Sequence, residues 1–150
     1  MIRDDIKAAL VNAMKSGDKQ GTAAIRLIQA AIKNRDIELR TATQTPDDDL
    51  LVTEVMQKMI KQRRESIELY EKGGRQELAD AEKAEVAVIE RFLPQQMSDA
   101  EATAAIKAIV ADVGASSVKD MGKVMAALKE RHGTVLDMSK ASALVKAALG

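Results

Sequence analysis

A chain of 150 residues makes one compact domain or two small ones, and at this length folding buries roughly two-thirds of the surface that the unfolded chain exposes. Lys+Arg and Asp+Glu both number 23, so the formal charge is zero; a histone-like polycation is excluded, and any contact with an anion has to be local. The absence of Cys removes disulfides, thiolate nucleophiles and cysteine-based metal sites, and a single His leaves no His-pair metal site.

The apolar fraction is 46% with one Tyr, one Phe and no Trp, so the core has to be built from aliphatics, Ala and Met. With two Pro and eight Gly, this composition predicts an all-α chain. No apolar run approaches the roughly 18 residues needed to span a bilayer. The start, Met1-Ile2-Arg3-Asp4-Asp5, is charged at once, unlike a signal peptide. A soluble, cytoplasmic protein is expected.

The first predicted helix carries Ile2, Ile6, Ala9, Leu10, Ala13 and Met14 and stops at Ser16-Gly17. A second, long one carries Ala24, Leu27, Ile28, Ala31, Ile32 and Leu39, with Thr22 as candidate N-cap, and gives out in the polar stretch from Thr41 to Thr45. Thr45-Pro46-Asp47-Asp48 reads as the next start, with Thr as cap, Pro in the first turn and acids at the positive dipole end. That third helix, with Val52, Val55, Met56, Met59, Ile60, Ile67 and Tyr70, runs to about Lys72. After Gly73-Gly74, Leu78, Ala81, Val88, Ile89 and Phe92 mark a fourth.

Leu93-Pro94-Gln95-Gln96 is the expected boundary, because Pro biases its predecessor away from helix and Ser98-Asp99-Ala100-Glu101 then offers a capping box. Three helices follow. Ala102, Ala105, Ile106, Ile109, Val110 and Val113 form one, ending at Gly114; Met121, Val124, Met125 and Leu128 form another, ending before Gly133; Ala141, Leu144, Val145, Ala148 and Leu149 form the last. The expected organisation is a helical domain of about four helices over 1–93 and a small three-helix domain over 94–150. From residue 115 onward six cations stand against three acids, so the last two helices are mildly basic.

Acid clusters such as Asp47-Asp48-Asp49, or Glu82 with Glu85, are read as ordinary first-turn or surface acids. His132, beside Gly133 at a helix end, has no partner acid and nucleophile in a recognisable arrangement. Ser98, Ser117 and Ser139 all precede helical patterns, where capping explains them. Lys58, Lys61, Arg63 and Arg64 could grip phosphates, but Glu54, Glu65 and Glu68 one turn away can neutralise them. The most informative segment is Lys119-Asp120-Met121-Gly122-Lys123-Val124-Met125, where glycine interrupts a helical pattern at a cost of about 1 kcal/mol. Gly122 and Ala126 share a face, so close packing of a neighbouring helix is the first explanation, and approach of a sugar-phosphate backbone beside Lys119 and Lys123 the second.

That segment, followed by Gly133, Asp137 and a closing helix with Leu144-Val145-Lys146, resembles the tail domain of the GatB/YqeY family, whose larger members belong to glutamine-dependent tRNA amidotransferases. Arg26-Leu27-Ile28, Gln62-Arg63-Arg64-Glu65-Ser66, Gly73-Gly74-Arg75 and Leu93-Pro94-Gln95 are similar to its stand-alone YqeY branch. The stretch Arg131-His132-Gly133-Thr134 departs from the family's tail, with extra residues before Asp137. The resemblance implies a larger helical domain before a smaller one, and tRNA recognition instead of catalysis. Carbon-nitrogen ligase activity would attach by family association only, with no cofactor. The residues it singles out are Lys119, Gly122 and Lys123, with Lys140 and Lys146 as electrostatic support. The expected function is a non-catalytic adaptor for tRNA or other structured RNA. The alternative is a module docking to a translation-related protein through an exposed aliphatic and Met-rich helix face, and in neither case does a membrane take part.

Overall fold

The computed structural model describes residues 1–150. Seven α-helices and two short 3-10 turns make up its regular structure, without a strand: α1 (Ile2–Ser16), α2 (Lys19–Glu38), α3 (Asp48–Lys72), α4 (Gln76–Glu90), α5 (Asp99–Val113), α6 (Met121–His132) and α7 (Met138–Leu149), with the 3-10 turns at Leu39–Thr41 and Val118–Asp120. The chain gathers into two compact units, Met1–Leu93 and Pro94–Gly150.

The core of the first unit is aliphatic and thioether. Ile6 of α1, Ile28 of α2, Val52 and Met56 of α3 and Ile89 of α4 are fully or almost fully buried, each such side chain contributing roughly 1.5–3 kcal/mol on removal from water. Polar clasps surround it. Arg3 reaches both Asp36 of α2 (2.9 Å) and Asp48 at the start of α3 (2.8 Å), and the Ile2 N–H donates to Asp49 Oδ1 at 3.0 Å. Asp48 is thereby held below the usual carboxylate range, chiefly by its hydrogen bond from Arg3.

Several helix starts differ from expectation. α2 begins at Lys19, three residues before Thr22, because Asp18 supplies the N-cap, its carboxylate accepting the Gly21 N–H at 2.9 Å. Asp outranks Thr as a cap, and Thr22 instead turns its hydroxyl back to the Asp18 carbonyl. α3 is likewise capped by Asp47, which accepts from the Leu50 N–H, so Thr45 and Pro46 lie outside the helix. In α4 the inward positions are Ala79, Val86, Val88 and Ile89, while Leu78 and Ala81 are exposed. α7 is capped by Asp137, which accepts from the Ser139 N–H at 2.8 Å; Ser139 is within the helix.

In the second unit Ala102, Ile106 and Ile109 of α5, Val124 and Leu128 of α6, and Ala141 and Val145 of α7 close a core together with Leu136 from the connecting loop. The Ser98–Glu101 capping box is complete in both directions, and α5 ends on Gly114 in the left-handed conformation, φ 67°, which glycine adopts without a Cβ penalty. The extra residues before Asp137 hold the entering chain: the Met97 N–H donates to the Val135 carbonyl at 2.8 Å and Gln96 Nε2 to the Thr134 carbonyl at 3.0 Å.

Candidate nucleic-acid interface

The start of α6 is built from a short capped turn. Ser117 Oγ accepts the Lys119 N–H, opening the 3-10 turn Val118–Asp120, which runs on into α6. Asp120 precedes the helix without capping it, because its carboxylate is turned back to the Ser116 N–H at 3.0 Å. That backbone hydrogen bond, with the Lys123 charge nearby, keeps the Asp120 carboxyl below its ordinary value. The Asp120 N–H donates to the Ser117 carbonyl at 2.9 Å and the Met121 N–H to the Val118 carbonyl, so the turn and α6 form one continuous helical stretch.

Lys119, Gly122 and Lys123 are three and four positions apart in this continuous helical stretch and are all exposed, so they share one side of it. A Cβ built on Gly122 would meet nothing within 4 Å. Packing against a neighbouring helix, the first explanation for this glycine, is thereby overturned: contact with α5 and α7 is made by Val124 and Leu128 on another face. Val118 stands 45% exposed one turn before it, so the surface beside the two lysines is smooth and partly apolar.

The other two residues fall elsewhere. Lys140, in the first turn of α7, forms an exposed ion pair with Asp99 in the first turn of α5 at 2.5 Å, so its charge is shared with an acid and contributes about 0–1 kcal/mol to the unit. Lys146 is exposed in the last turn of α7, where a cation suits the negative dipole end. The basic cluster of α3 is also partly consumed. Arg63 bonds Glu85 at 2.8 Å and Arg64 bonds Glu90 at 3.0 Å, both on α4, across the helix pair and not along α3. No three His, Asp or Glu side chains converge as metal ligands would, and no helix is long and apolar enough to cross a membrane.

Sequence reasoning missed two pairings that organise this unit's surface, Arg131 with Asp112 at 2.8 Å and Lys140 with Asp99. Both join residues remote in sequence, and their charges alone carried no signal.

The family model described as Yqey-like protein matches residues 3–149. A protein of Eremothecium gossypii named altered inheritance of mitochondria protein 41, mitochondrial, is 33% identical over 88 residues, which is 59% of this chain and 46% of that protein. The like-named protein of Lachancea thermotolerans is 29% identical over 116 residues, 75% of this chain and 60% of that one. An uncharacterized protein of Schizosaccharomyces pombe is 29% identical over 94 residues, 63% of this chain and 73% of its own length. The chain thus spans about half the length of the relatives named mitochondrial. With a single family model covering it almost from end to end, the chain belongs to the Yqey-like protein family.

Proposed function

We propose that this protein is a non-catalytic grip for structured RNA, in the first place tRNA, and that it works in the cytoplasm beside the translation machinery. Its two units are read as domains, 1–93 and 94–150, with the grip at the start of α6 in the second. Lys119 and Lys123 supply phosphate contacts, Gly122 lets the backbone approach, and Lys146 adds charge; Lys140 acts through its pairing with Asp99. Any link to amidotransferase chemistry is by family association.

One observation carries the reading. Gly122 costs the helix about 1 kcal/mol relative to alanine, yet nothing in the chain occupies the space beside it, so the missing side chain serves an approach from outside. Both lysines are exposed and neither is in a close ion pair, with the Asp120 carboxylate near enough to feel the Lys123 charge. With one Tyr and one Phe in the chain, recognition rests on phosphate and shape instead of base stacking.

Filter binding at low salt tests it. A preference for tRNA over duplex DNA of equal length is expected, and Lys119→Glu with Lys123→Glu should weaken binding and flatten its salt slope by about 2 phosphate contacts without unfolding the chain. Equal retention of the two nucleic acids sinks the proposal.

A further inference from the structure

Lys19, Arg26, Lys33 and Arg40 follow α2 and its 3-10 extension at intervals of seven residues. Two α-helical turns span about 7 residues, so Lys19, Arg26 and Lys33 stand almost one above another in steps of about 10.5 Å, and Arg40 follows them on the 3-10 turn. All four are exposed. None has a carboxylate partner, whereas Arg3, Arg35, Arg63, Arg64 and Arg131 are each in an ion pair. Arg26 reaches only Met14 Sδ, at 3.8 Å. The carboxylates on and before α2 are engaged elsewhere: Asp18 caps the helix, Asp36 holds Arg3 and Glu38 holds Arg35.

Beside this row runs an uncovered stripe, Ala23, Leu27, Ala30, Asn34 and Ile37, in alternating steps of four and three. That is the spacing of a two-helix seam, and in its frame every one of the four cations falls at the g position that flanks such a seam. Leu27 is 44% and Ile37 45% exposed, while the opposite face of α2, Ala24, Ile25, Ile28 and Ile32, is buried. α2 therefore carries a core face and a second apolar face, the latter edged by unpaired cations.

We propose that this outer face of α2 docks an amphipathic helix of another protein, with aliphatic residues along its own seam and carboxylates beside them. The charge row selects that occupant. A second copy in antiparallel register would set cation against cation, and in parallel register would offer mostly Ala24 and Ala31 to the cations. A nucleic-acid backbone would leave Leu27 and Ile37 without a partner, and it lacks the heptad period of about 10.5 Å that a second helix shares. The proposal stands apart from the RNA grip, which lies in the other unit.

The test uses the full chain and labelled synthetic peptides of about three heptads, with Leu along the seam and either Glu or Lys at both flanking positions. Fluorescence anisotropy should show binding of the Glu peptide and not of the Lys peptide. Arg26→Glu with Lys33→Glu should reverse that preference, with a loss of about tenfold for the Glu peptide. Circular dichroism and tRNA retention should be unchanged. Equal binding of both peptides, binding of neither, or a preference that the double variant does not reverse would overturn the proposal. Loss of tRNA binding in the double variant without any peptide preference would assign the row to nucleic acid instead.

Discussion

Arg63 of α3 donates from Nε to Glu85 Oε2 of α4 at 2.8 Å, with Glu82 at 3.8 Å and the Met59 carbonyl taking a further bond from the same guanidinium. A cation from a basic run and two acids from an acidic run, each unremarkable in sequence, thus complete one another. Arg63 is only 16% exposed, and its removal leaves two half-buried carboxylates, Glu82 and Glu85, without their shared cation. Arg63→Ala should cost about 1–3 kcal/mol in urea denaturation. Arg63→Lys should recover less than half of the loss, since an ammonium lacks the planar fork.

The Arg3 clasp makes stability depend on pH in the acid range. Asp48, lowered from an ordinary 3.8 by its hydrogen bond from Arg3, binds protons less readily folded than unfolded. Its contribution is therefore complete above the unfolded value and is lost as pH falls through the folded one. Asp48→Asn should lower the thermal midpoint at neutral pH. The gap to the unaltered protein should close on acidification below about pH 4, as followed by circular dichroism.

Thr53 is wholly buried in α3 and its Oγ1 has no hydrogen-bond partner. A hydroxyl left unmatched in a core costs about 1–3 kcal/mol. Thr53→Val keeps the branched shape and removes the unmatched group, so the urea midpoint should rise, by roughly 1 kcal/mol in stability. Thr53→Ala should gain less, because it also leaves a cavity.

Two glycines should respond in opposite senses to alanine. Gly122 has helical backbone and open space around it, so Gly122→Ala should stabilise by about 1 kcal/mol while weakening tRNA retention. Gly114 sits at φ +67°, where an L side chain is strained, so Gly114→Ala should destabilise by about 1 kcal/mol without touching RNA binding. Paired denaturation and filter-binding measurements separate the two effects.

Much of the helical arrangement was legible in the chain itself because caps and periodicity are local. The Ser98–Glu101 box, the stop at Gly114 and the stripes of α5 and α6 follow from residues within a turn or two of one another. Where local signals competed, the stronger cap won, as with Asp18 over Thr22 and Asp47 over Thr45. Leu27 is the clearest miss in the core: it fits the helical period, but Ile25 lies closer to the centre of the buried face and takes the inward place.

The amino-acid sequence by itself determined that this protein is helical, with a core of aliphatic and thioether side chains, and that Gly122 and Lys123 open a helix with Lys119 one turn before them, since composition and short-range spacing fix these things. Only the tertiary structure decided which charges are consumed and which remain. Lys140 and Arg63 are paired with acids 41 and 22 positions away in the chain, on other helices, while Lys19, Arg26, Lys33 and Arg40 are in no ion pair. Ion pairing between helices depends on packing and register, and no local pattern carries that information.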